Sequence, residues 1–172
     1  MATQPGQSIN QAIANASNGS WGAQYDLHGA KAPGHMIVSH LIALVGDDAS
    51  EIVHVEVDMG TSRRLAELTI GLVVFTRSLL VMIDLEAGGE PKTRVYPRSA
   101  LRGLTVLSVP VVTMQSSGSG WEPWKIELSY PDNEISLPFD DDVSSQSDSV
   151  GRMLPSLIAD LAEGSSTADI SR

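Results

Sequence analysis

From Val53 to Phe139 apolar residues return at every second position, and from Val150 onward they return every third or fourth. That change of beat limits the chain to a run of half-buried strands followed by one amphipathic helix. Val53, Val55 and Val57 alternate with His54, Glu56 and Asp58. Leu65 to Thr76 reads as a long strand with Leu68, Ile70, Leu72 and Val74 on one face. A tight break at Arg77-Ser78 leads into Leu79–Glu86, and Ala87-Gly88-Gly89-Glu90-Pro91 has the composition of a hairpin turn. Thr93–Tyr96 and Leu101–Val109 add two strands. Trp124–Tyr130 alternates again, with Trp124, Ile126, Leu128 and Tyr130 inward. Glu134–Phe139 returns with Ile135, Leu137 and Phe139 inward, and the donor-less Pro138 suits an edge strand.

The last segment places Val150, Met153, Leu154, Leu157, Ile158 and Leu161 on one helical stripe. Asp142, Ser144 and Ser147 are candidates to cap its start. The Pro155 ring clashes with the carbonyl of Gly151, so a kink near Gly151, or a main body starting at about Leu154, is expected. The fold class is therefore mainly β within α+β: seven antiparallel strands closed by one C-terminal helix.

The ends are read from composition. Residues 1–34 are expected to be flexible, because 1–24 are rich in Ala, Asn, Gln, Ser and Gly and bury too little apolar surface to offset ordering entropy. A short helix over Ser8–Ala16, capped by Ser8, is the exception. Over nine residues Ile37–Val45 fits a helix or a buried strand; Gly46 as a stop favours helix. One globular domain is expected over 35–163, with 164–172 as a frayed tail.

Composition then narrows function. With no Cys, the chain has no disulfide, thiolate metal site or cysteine nucleophile. The start lacks a basic and apolar leader and no apolar run reaches membrane-spanning length, so a cytoplasmic location is the default. A net charge of −10 argues against a nucleic-acid surface. Residues 63–102 nevertheless carry +3, against −13 for the rest.

The run Gly71-Leu72-Val73-Val74-Phe75-Thr76-Arg77-Ser78-Leu79-Leu80-Val81, followed later by one amphipathic helix, resembles bacterial pleckstrin-homology-like domains. Their strand–turn–strand carries an Arg where this chain has Leu79, or has moved it to Arg77. The resemblance spans about residues 50–163 and implies a seven-stranded sheet pair or barrel capped by the helix. It also implies that Arg63-Arg64, in the first hairpin turn, are candidate ligands for an anionic phospholipid headgroup, with Arg77, Lys92 and Arg94 nearby. The plain alternative is a solvated turn. A rival architecture is the small acidic secretion-chaperone type, which would place a further helix mid-chain, at Arg98–Leu104, and three helices in all.

Other motifs are thin. Asp140-Asp141-Asp142 lacks the spacing of a calcium loop and reads as helix-dipole compensation, so no metal or other cofactor is expected. His28, His35, His40 and His54 form no zinc spacing; His40 reads as a partnered group and His54 as lying on a strand's polar face. No nucleophile elbow or phosphate loop is present, which disfavours an enzyme. Trp124 reads as core. Trp121 and the helix residues Leu154, Leu157 and Leu161 are candidates for a protein interface, with a second copy as one candidate partner. A non-enzymatic binding or scaffolding module acting through protein contacts is the leading expectation. A chaperone-like dimer and headgroup binding stand behind it.

Overall fold

The computed structural model describes residues 6–17, 21, 33–46, 49–60, 67–110, 123–139 and 144–168. The chain divides into two compact units, Met1–Tyr96 and Pro97–Arg172, where one domain over 35–163 was expected.

The first unit holds helices α1 (Gln7–Ala16) and α2 (Pro33–Val45) and strands β1 (Ile52–Met59), β2 (Ile70–Thr76), β3 (Leu79–Leu85) and β4 (Lys92–Pro97). The strands form an open antiparallel sheet in chain order. Its register explains the alternation. Val57 faces Leu72 and Val55 faces Val74 on β2, and Leu72 and Val74 face Ile83 and Val81 on β3. These residues, with Ile70 and Leu85, form one buried face, and Ile9, Ile13, Trp21, Ile37, Val38 and Leu41 belong to the same core. The hairpin at Arg77-Ser78 is held by Thr76, whose Oγ1 accepts from the Leu79 amide at 2.8 Å and donates to the Leu79 carbonyl.

Several expectations change here. The short helix allowed over Ser8–Ala16 is present as Gln7–Ala16, and its Ile9 and Ile13, four apart on one helical face, are fully buried. Trp21 Nε1 donates to Asn10 Oδ1 at 2.6 Å. Two isoleucines suffice to anchor a helix whose average composition hides them. Ser8 is not the cap; Gly6, in the left-handed region at φ 79°, takes that position. Helix α2 includes Ile37–Val45 and ends at Gly46, also at φ 79°, whose amide donates to the Ile42 carbonyl. The long strand begins at Ile70 rather than Leu65. At Val53 a register shift breaks the β1–β2 ladder and turns that side chain outward. The second face of the sheet is not polar and solvated. Val73, Phe75, Leu80 and Met82 are buried there, and so are His54 and Glu56.

The second unit holds a 3₁₀ turn (Arg98–Ala100), β5 (Gly103–Ser108), β6 (Lys125–Tyr130), β7 (Asn133–Leu137) and α3 (Ser144–Ala168). Its open sheet has the order β5-β6-β7. Ile126, Leu128 and Tyr130 are buried as the alternation predicts, together with Ile135 and Leu137. Asp132 takes the left-handed position of the β6–β7 turn at φ 62°, a conformation its short polar side chain tolerates. Helix α3 packs against the 3₁₀ turn, β5 and β6, burying Val150, Met153 and Leu157. It runs from Ser144 with Pro155 inside, so no late start at Leu154 is needed. It continues through 164–168, which were expected to fray. A Cβ on Gly164 would meet the Ser99 carbonyl oxygen at 2.6 Å. Phe139 lies beyond β7 and is exposed.

The seven antiparallel strands thus stand in the expected chain order, but as open sheets of four and three rather than one closed barrel. Among the described residues three helices are present: the C-terminal one that closes the expected fold, and those over Gln7–Ala16 and Pro33–Val45, where the sequence allowed and favoured a helix. That number matches the chaperone alternative, yet its mid-chain helix at Arg98–Leu104 is only a single 3₁₀ turn. Among the described residues no helix is long and apolar enough to cross a membrane.

Candidate functional site

The cations considered for a headgroup site each stand beside an acid. Arg77 Nη1 lies 3.8 Å from Glu51 Oε1, and Lys92 Nζ donates to Glu86 Oε1 at 2.8 Å. Arg94 Nη2 donates to Asp84 Oδ2. The hydrogen bond from Lys92, and then its charge, hold the Glu86 carboxyl below the usual range. Guanidinium and ammonium groups already opposed by carboxylates present little net field to a phosphate. Arg63, Arg64 and Trp121 lie outside the described residues.

The helix residues separate. Leu157 is fully buried. Leu154 and Leu161 are half-buried, and Ile158, between them on the same stripe, is exposed. Trp124 is half-buried and lies against Gly151 of α3.

The first unit contains a cavity of about 370 Å³ lined by His35, Met36, Ser39, His40, Glu90 and Pro91. Helix α2 supplies the first four because residues four apart share a face. His40 Nδ1 shares a hydrogen bond with Thr93 Oγ1 at 2.9 Å, which ties its ring to β4. The Ser39 hydroxyl donates to the His35 carbonyl at 2.7 Å. Its proton is therefore directed at the helix backbone and not at an imidazole, so Ser39 is not arranged as an activated nucleophile. Among the described residues no three His, Asp or Glu side chains converge as a metal site. The sequence listing of histidines missed this grouping; the four-residue spacings His35/Ser39 and Met36/His40 were its only signal.

A second buried histidine has a different setting. His54 Nε2 lies 3.0 Å from Glu56 Oε1, with both side chains almost wholly excluded from solvent. They sit on one face of β1, two residues apart, beside Phe75.

Among the described residues three exposed apolar side chains stand close together in sequence at β5. Val106 and Leu107 are 44% and 50% exposed and Val109, just beyond the strand, is 46% exposed. β5 pairs with β6 on one side only, with Leu104 opposite Leu128 and Val106 opposite Ile126. Among the described residues no strand pairs with its other side. A register shift between Val106 and Ser108 sets Leu107 out of the ladder. The run Gly103-Leu104-Thr105-Val106-Leu107-Ser108 carries no charge and no proline. An edge of that kind carries neither charge nor proline, two of the devices by which sheets discourage pairing, and the shift at Leu107 is its one irregularity.

No family model, curated protein or solved structure matches the chain.

Proposed function

We propose that the chain is a non-enzymatic binding module that works through protein–protein contacts, with the outer edge of β5 as its recognition element. The observation that carries this is the exposed, uncharged strand with Val106, Leu107 and Val109 in solvent. An extended segment laid along β5 gains backbone hydrogen bonds, each contributing a net of about 1 kcal/mol. It also covers apolar side chains at roughly 25 cal/mol per Å². Association and ordering costs of about 4–15 kcal/mol leave only a moderate affinity, as for other strand-addition contacts. The partly exposed stripe Leu154, Ile158 and Leu161 belongs to the same unit and offers it further apolar area.

A non-enzymatic role is supported by the Ser39 hydroxyl being committed to the helix backbone and by the enclosure of His54 and Glu56. The pleckstrin-homology-like likeness remains part of this reading. The strand order from β1 to α3 favours it, and the two open sheets and helices α1 and α2 do not.

A random peptide library selected on the purified chain tests the role of β5. Selected peptides should alternate apolar and polar residues, and should lose binding to a folded Val106→Lys variant. Peptides that bind wild type and Val106→Lys equally would remove β5 from the recognition surface.

A further inference from the structure

We infer that the occupant of the β5 edge is a second copy of this chain, the two β5 strands pairing antiparallel across a two-fold axis so that each three-stranded sheet becomes half of a six-stranded one. This rests on the reading of β5 as a protein contact and names the partner.

Charge distinguishes a second copy from a foreign partner. The whole chain carries −10, so two copies repel except where they meet on neutral surface. Among the described residues every other sheet edge bears exposed charge: Asp58 on β1, Lys92 and Arg94 on β4 and Glu134 on β7; Glu56 on β1 is instead buried against His54. Antiparallel self-pairing of β1 or β7 brings like acids near one another, which is unfavourable, and on β4 the two cations are already engaged by Glu86 and Asp84. β5 alone, from Gly103 to Ser108, brings none. A charged foreign partner would instead be steered by charges at the contact, and β5 offers none for it to read. Absence of charge along a whole edge is the condition that self-contact imposes.

The pairing also closes. An antiparallel contact of identical strands is isologous, so it uses the edge in both copies and ends at two. Continuation through the opposite edge of the sheet is opposed by Glu134 on β7 and by Pro138, which follows the strand and has no amide proton.

Sedimentation equilibrium over a concentration series, at low and at high salt, tests the inference. The chain should form a dimer, and salt should tighten it, because salt screens the general repulsion and the contact contains no ion pair to weaken. Val106→Lys and, separately, Leu107→Lys should weaken the dimer by at least about tenfold with unchanged circular dichroism, since each brings two like charges into the contact close to the two-fold axis. The absence of native cysteine allows a direct map. Single cysteines introduced along Leu104–Ser108 should cross-link between copies in one register, and Val95→Cys on β4 should not. A chain that stays monomeric throughout overturns the inference, as does a dimer indifferent to both lysine variants. If the monomer still binds library peptides through Val106, only the second-copy inference falls; if those peptides bind elsewhere as well, both readings fall.

Discussion

Replacing Gly151 by Ala should destabilise the protein, although the same change in an open helix would stabilise it. In a helix interior Ala is favoured over Gly by about 1 kcal/mol. At Gly151, however, a Cβ would lie 2.5 Å from Nε1, 2.7 Å from Cδ1 and 2.9 Å from Cε2 of Trp124. Comfortable contacts between carbon atoms lie at about 3.5–4.0 Å, so ring or helix must withdraw by roughly 1 Å. Overpacking of this kind costs about 1–3 kcal/mol. Subtracting the propensity gain leaves a net loss of about 0–2 kcal/mol. Urea denaturation of wild type, Gly151→Ala, Trp124→Leu and the double variant measures it. The double variant should recover the propensity gain relative to Trp124→Leu alone, because the indole is no longer there to meet. A Gly151→Ala protein about 1 kcal/mol more stable than wild type would refute the close approach of α3 to Trp124.

Three further outcomes follow. Ile13→Ala should cost about 2–5 kcal/mol in urea denaturation, since Ile13 is fully buried; a loss within error would mean that residues 7–16 are not docked. Arg98→Met should cost about 3 kcal/mol, because it leaves Asp160 without the guanidinium that donates to it and to Ser156 at 2.8 Å each; an unchanged midpoint would refute this. Burial, and then the charge of Asp160, push the Tyr130 hydroxyl well above its ordinary pKa of 10, with Arg98 opposing. The folded state therefore keeps this proton longer than the unfolded chain. Its stability should be full below about pH 10 and fall as the pH rises beyond that. Urea midpoints for Tyr130→Phe should lack that part of the alkaline decline, and identical alkaline profiles would contradict the assignment.

Much of the fold was legible because alternation is a direct readout of which face meets the core. Ile126, Leu128 and Tyr130 show this, as do Val55 and Val57. Alternation fails where both faces of a strand are buried. His54 and Glu56 read as a solvated face, but they are enclosed and partner one another. It fails again at Val53, where a bulge changes the phase. Helix α1 was legible only in its spacing, Ile9 to Ile13, because its composition is that of a mobile segment. The candidate surface was half visible. The helical stripe was legible in its spacing, but spacing does not say which of its members are buried, and Leu157 is. β5 was visible as a strand, yet its place at the end of the order β5-β6-β7 among the described residues is a long-range property no local pattern encodes.

Residue-resolved amide hydrogen exchange at low and high protein concentration bears most directly on β5 as the working edge. Protection should rise with concentration at alternate amides of Leu104–Ser108, where a new strand would pair, and stay constant along β4 and β7. Constant exchange along β5, with concentration-dependent protection at another edge or at none, would contradict it.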